Sequence, residues 1–231
     1  CAGAVAVSGP AVVASTAGGG GGGGGDACYP ANQPTSLSLP PLSLPPCTRP
    51  GQPVSLDLST ATFSSGVDPS WAVTPFGPNG YSTSFVPWTT LPTHWIQPKQ
   101  SVVVQHHPVG TYVYTRTFNL ACRPESYRSL KLTGQYGSDN SSVVTLNAPG
   151  NILATSTNSY STPAVTLTPP PISFFVPGLN VLTVTVKNAP PASQMNPTGM
   201  SMIAKLEAIC GPDCVCGCPE GTVLVDGTCV P

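Results

Sequence analysis

The nine cysteines are the residues of this 231-residue chain best equipped to do chemistry, and that chemistry is oxidation to disulfides. Five of them, Cys210, Cys214, Cys216, Cys218 and Cys229, follow the spacing C-x3-C-x-C-x-C-x10-C, while Cys28 and Cys47 bracket a proline-rich segment and Cys122 follows a strand-like run. Cys28 with Cys47 makes the nearest local bridge, and Cys122 could reach Cys210 at the edge of the folded body. Nine is an odd count, so at least one sulfur is free, lipid-modified or bonded to another chain, and Cys1 is the natural odd one. Zinc ribbons want two C-x2-C pairs, which this spacing lacks, so no metal or other cofactor is expected. Cysteine density of this kind belongs outside the cytosol, at the cell surface or beyond it.

Other groups offer chemistry more weakly. Asp139 and Asn140 supply oxygens suited to Ca²⁺ or a sugar hydroxyl, yet one carboxylate and one amide are few for such a site, and a tight turn favours the same pair. Asn140 also opens an N-glycosylation sequon, Asn140-Ser-Ser142, on an expected exposed loop. Trp71, Trp88 and Trp95, with Tyr81, could stack on a sugar ring, although aromatics at strand ends are more often core. His106 and His107 are adjacent, so on a strand they point to opposite faces and cannot chelate together; His94 is the remaining histidine. Neither G-x-S-x-G nor H-E-x-x-H occurs and the nine acids are scattered singly, so no catalytic residues are assigned and an enzyme is not expected.

The elements that must hold these groups are strands. Tyr112 to Phe118 and Leu182 to Val186 alternate apolar and polar residues, as do Leu130 to Thr133, Val144 to Asn147 and Met200 to Glu207. Turn residues separate them at Gly137-Ser-Asp-Asn140, Ala148-Pro-Gly-Asn151, Pro177-Gly178 and Asn196-Pro-Thr-Gly199. The fold expected is an all-β antiparallel sandwich or jelly roll over residues 53–209, followed by a small disulfide-rich module at 210–231.

Two different segments precede it. Residues 1–17 form an uncharged apolar arm that reads as a strand donated to a neighbouring copy, as a secretion-signal remnant, or as plain disorder. Residues 18–52 read as linker: eight glycines, Gly18 to Gly25, make a flexible coil, and the tandem Leu37-Ser-Leu-Pro-Pro41 and Leu42-Ser-Leu-Pro-Pro46 favours a polyproline II rod. Ser38, Ser43, Pro40, Pro41, Pro45 and Pro46 are the O-glycosylation candidates of that stalk.

Eight Lys plus Arg against nine Asp plus Glu give a net charge of −1 with no basic cluster, so neither nucleic acid nor an anionic membrane is an expected partner. No run of about 18 apolar residues offers a membrane span. Six segments in order, DPSW (68–71), HWIQP (94–98), GTYVYTRTFNL (110–120), LTGQYGSDNSSVVTLN (132–147), FFVPGLNVLTVTVKN (174–188) and NPTGMSM (196–202), resemble the β-sandwich domain of PEP-CTERM-type secreted surface proteins over about residues 55–209. That resemblance implies a galactose-binding-like jelly roll, an exopolysaccharide or cell-surface setting, and no catalytic residues. Where that family has a sorting tail this chain has its cysteine module, and CPEGTVLVDGTC (218–229) resembles a truncated epidermal-growth-factor-like unit. The expected function is a secreted structural subunit that polymerises with copies of itself through the arm, carries covalent glycans, and contacts extracellular polysaccharide. The alternative is a carbohydrate-binding or adhesive module on a stalk.

Overall fold

The computed structural model describes residues 41–61, 67–75, 80–83, 95–98, 107–157, 164–190, 196–214, 223–225 and 228–230. The apolar arm, the glycine run, Ser38, Pro40, His94, His106, Trp88 and Cys1, Cys28, Cys216 and Cys218 lie outside them.

The chain is all-β. In order the strands are β1 (Leu42–Ser43), β2 (Pro53–Asp57), β3 (Val67–Asp68), β4 (Ala72–Thr74), β5 (Gly80–Thr83), β6 (Trp95–Gln97), β7 (Gly110–Leu120), β8 (Tyr127–Asp139), β9 (Ser141–Leu146), β10 (Ile152–Ser156), β11 (Val165–Thr166), β12 (Gly178–Asn188), β13 (Gly199–Cys210), β14 (Val223–Val225) and β15 (Thr228–Val230). The first sheet runs β1-β7-β12-β9-β10, with β4 also beside β7. The second runs β11-β8-β13-β6-β5-β3, with β2 also beside β13. The strands β14 and β15 pair as a separate hairpin.

Alternation explains the layering. On β7 the side chains of Tyr112, Tyr114, Phe118 and Leu120 are buried between half-buried neighbours, and on β13 the run Met202, Ala204, Leu206, Ala208 is buried while Ile203, Lys205, Glu207 and Ile209 face out. The two inner faces meet in one core that includes Trp71, Leu132, Tyr136, Leu146, Leu182 and Val184. Each such side chain stabilises the fold by about 1.5–3 kcal/mol through burial. Two long antiparallel ladders, β7 with β12 and β8 with β13, carry the sheets. At Gly134 an added Cβ would fall 2.3 Å from the Ile203 carbonyl oxygen, so glycine is what lets β8 lie close to β13 there.

Two expectations need correction. The expected linker at 18–52 is body from β1 onward: Leu42 and Ser43 pair in parallel with Phe118 and Asn119, the Leu44 amide donates to the Asn119 carbonyl at 3.0 Å, and Leu44 is 1% exposed. The second Leu-Ser-Leu-Pro-Pro copy therefore acts through its Leu-Ser-Leu alternation, which seats one leucine inward, and its prolines end the strand rather than stiffen a free rod. The expected turn at Gly137–Asn140 is also displaced. Gly137, Ser138 and Asp139 stay on β8, paired with Ser201, Met200 and Gly199, and the chain passes from the second sheet to the first at Asn140 alone.

Candidate functional site

Four cysteines converge at one end of the sandwich, each delivered by a different local device. Cys47 follows Leu44, whose burial pins the approach. After it the amide and hydroxyl of Thr48 both donate to Gln52 Oε1 at 2.8 Å, and Gly51 takes a φ of +78°, a left-handed turn that glycine adopts without strain. The turn brings β2 back along β13, where the Gly51 amide donates to the Cys210 carbonyl at 2.7 Å and the Cys210 amide to the Gln52 carbonyl at 2.9 Å. Cys122 lies just past β7, ahead of a 3-10 turn at Pro124–Ser126 closed by the Ser126 amide on the Arg123 carbonyl. Cys210 ends β13. Gly211 then presses against Ser126, whose carbonyl oxygen would sit 2.1 Å from any Cβ at 211, and the 3-10 turn Pro212–Cys214 swings Cys214 back over Cys122.

The sulfurs bond as Cys47–Cys210 and Cys122–Cys214. Both pairings differ from those expected, Cys28 with Cys47 and Cys122 with Cys210. The physical reason is topological: β2 lies antiparallel on β13 and brings Cys47 to Cys210 across a sequence separation of 163, a proximity that local spacing does not express. The four side chains are 0–3% exposed, and the Cys47 and Cys214 sulfurs, members of different disulfides, lie 3.3 Å apart. The Sγ atoms of Cys47, Cys122 and Cys214 all fall within 4.8 Å of one another. Thiolates so placed could surround a zinc ion, but sulfurs joined as disulfides are not thiolates and do not ligate it. What the cluster does as it stands is staple: it joins the segment entering the body, the β7–β8 corner, the end of β13 and the segment leaving toward the C-terminal cysteines. Of the remaining cysteine candidates, Cys229 lies on β15, opposite Leu224.

Of the other candidates, Trp71, Trp95, Asp139, Asn140 and His107 are held rather than presented. Trp71 is 0% exposed in the core, with the Arg116 guanidinium 5.7 Å from its ring centroid, and Trp95 is 3% exposed, so neither offers a face to a sugar. Tyr81 pairs with Gln97 between β5 and β6. Asp139 is 4% exposed; its Oδ1 accepts from Asn140 Nδ2 at 2.8 Å and its carbonyl from Thr198 Oγ1 at 2.7 Å. Asn140 Oδ1 accepts from the Ala189 amide at 3.0 Å, so the sequon asparagine is a structural bridge and not the tip of a free loop. His107 is buried edge-on to Tyr112, ring centroids 6.2 Å apart, and its carbonyl accepts from Asn188 and Asn196. Ser43, Pro45 and Pro46 are exposed and Pro41 half-buried, beside the clamp.

Several structural residues were missed by the sequence reading. Arg116 stands in phase with the inward residues of β7 and reaches across the core to the carbonyls of Ser59 at 2.5 Å and Asp57 at 3.2 Å. Desolvation lowers its pKa, against the charges of Asp68 and Asp57, which raise it. Asn180 is fully buried; it donates to the carbonyls of Val176 and Gly178 and accepts from the Val176 amide and from Asn147, which sits at φ +63°. An arginine or asparagine in the apolar phase of an alternating strand was the legible signal for both.

On the outer face of the second sheet, β2, β13 and β8 form a shallow depression of about 520 Å³ that includes Pro53, Ser55, Lys131 and an exposed ion pair, Lys205 to Glu207 at 2.8 Å.

Fold and cluster together define the class, an all-β sandwich stapled by disulfides. No family model matches the chain, and no curated protein matches it. Among solved structures it is similar to one described as "Crystal structure of putative beta-galactosidase from bacteroides fragilis", at 15% identity and a TM-score of 0.38 over 67% of this chain. The aligned part is 23% of that protein's length. The PEP-CTERM-type and epidermal-growth-factor-like resemblances thus have no matching family model behind them.

Proposed function

We propose that the chain is a load-bearing structural subunit of an extracellular filament or surface matrix, non-enzymatic, glycosylated on its stalk, and assembled by adding the arm at residues 1–17 to a neighbouring copy. One observation carries this reading. A pull between the segment before Cys47 and the segment after Cys214 crosses the Cys47–Cys210 bond and then only Gly211, Pro212 and Asp213. The sandwich from 48 to 209 hangs from that covalent path as a closed loop, loaded only through the contact of β1 and Leu44 with β7 until that contact peels away. A subunit in series with others gains from such a bypass. The disulfides fit an oxidising compartment, and Ser43, Pro45 and Pro46 stand exposed where the chain enters the body, positions a covalent glycan could occupy. An arm that enters the next copy makes a head-to-tail contact, which propagates as a filament when it does not close into a ring.

The test is negative-stain electron microscopy of the oxidised native protein, with and without residues 1–16, over a range of concentrations. Regular fibres that disappear on truncation are expected. Dispersed particles from both forms would refute assembly through the arm.

A further inference from the structure

The two disulfides are not independent. Thiol–disulfide exchange needs a thiolate, a disulfide sulfur within reach, and a leaving thiolate. The Cys47 and Cys214 sulfurs, members of different bonds, already lie 3.3 Å apart in a buried site. We infer that the cluster is a thiol–disulfide exchange site for small thiols, in which two-electron reduction moves the pairing to Cys47–Cys214 instead of simply opening one native bond.

A small thiolate attacks the Cys210 sulfur, forming a mixed disulfide there and expelling Cys47 as a thiolate. Cys47 attacks the Cys214 sulfur 3.3 Å away; the Cys47–Cys214 bond forms, and Cys122 leaves as a thiolate and is protonated from water. A second small thiolate resolves the mixed disulfide at Cys210, releasing the oxidised small-molecule disulfide and the Cys210 thiolate. Two small thiols are oxidised and the protein gains two thiols. Attack at Cys122 instead expels Cys214, which attacks Cys47 and expels Cys210. Both routes end at the same bond. Reactants held in contact and in line react with effective concentrations of up to about 10⁵–10⁸ M; with the Cys47, Cys122 and Cys214 sulfurs all within 4.8 Å of one another the approach is bent, so the released Cys47 side chain has to turn into line with the Cys122–Cys214 bond before it attacks. Once either bond is opened, the internal step has its partner sulfur at hand, whereas a second dissolved thiol has to enter a buried site.

The chemistry rests on the sulfur geometry alone; its consequence rests on the load-bearing reading. If Cys47–Cys210 merely opened, tension would run through residues 48–122 before crossing at Cys122–Cys214. A bond between Cys47 and Cys214 keeps the whole body out of the load path. One reductive event is then absorbed without mechanical loss.

The experiment is graded reduction of the oxidised full-length chain with glutathione, acid quench, alkylation, and mass-spectrometric mapping after cleavage before Asp213, which separates Cys210 from Cys214. Chains with one remaining bond in the cluster should carry mainly Cys47–Cys214, with Cys122 and Cys210 alkylated. The variants Cys122→Ser and Cys210→Ser, made separately, should both show that bond. Single-bonded chains holding only Cys47–Cys210 or Cys122–Cys214, or loss of both bonds together, would overturn the inference. Such a result leaves the fibre images untouched, so the two readings fail separately.

Discussion

At the scale of single residues, polar side chains placed in apolar phase hold the two layers together. Arg116 joins the first sheet to the chain leaving β2 through the carbonyls of Asp57 and Ser59. Truncation to alanine removes the donor from two part-buried carbonyls, each costing about 1–2 kcal/mol, so Arg116→Ala should lower the urea midpoint by the equivalent of about 2–4 kcal/mol. Lysine should not rescue it, because one ammonium cannot span both acceptors in the guanidinium's planar geometry. Asp57 makes a pH prediction. Burial alone would raise its pKa, but hydrogen bonds from Ser59 and the charges of Arg116 and Lys205 together hold it below 3.8. A carboxyl with a depressed folded pKa stabilises the fold fully above its unfolded value and loses that contribution as pH falls through the folded one. Stability should therefore decline below about pH 4, and Asp57→Asn should flatten that part of the curve in urea titrations at stepped pH.

At the scale of elements, the short parallel strand β1 decides how the chain enters its body. Leu44 is the buried anchor just beyond it, and Leu44→Ala should cost about 2–4 kcal/mol in chemical denaturation and slow formation of Cys47–Cys210 on oxidative refolding. An unchanged midpoint would mean that the segment rides on the surface. The long strands were legible in sequence because Tyr112 to Leu120 and Met202 to Leu206 keep period two despite Arg116 inside and Ile203 outside, and that period fixes which face is inside. Leu42-Ser-Leu44 alternates too, but three residues ahead of paired prolines read as easily as rod, and only a free edge on β7 decides between them. The end of β8 was misread for a related reason: Gly, Ser, Asp and Asn favour turns locally, and pairing with Gly199 to Ser201 overrode them. Cysteine positions were plain and cysteine pairs were not, since pairing follows from strand order rather than spacing. Trp71 and Trp95 failed as sugar contacts on burial, which composition does not reveal.

At the scale of the whole molecule, the clamp sets both stability and mechanics. In the loop-entropy picture, closing a ring as long as Cys47–Cys210 disfavours the unfolded chain by about 5 kcal/mol. Single-molecule stretching between handles fused before Ala2 and after Pro231 should show no length gain from the sandwich while both bonds are intact. Full reduction should then release the 163-residue separation, roughly 55 nm at about 3.4 Å per residue. A gain of that size from the oxidised chain would place the body in the load path and defeat the mechanical reading.

The ring closed by Cys47–Cys210 also bears on wear. Extracellular proteases attack exposed loops, and an ordinary domain threaded in series is severed by one cut. Here a nick anywhere between 48 and 209 only opens a ring whose ends stay joined through sulfur, so under the proposed load-bearing role a damaged chain would lose its shape and still transmit a pull.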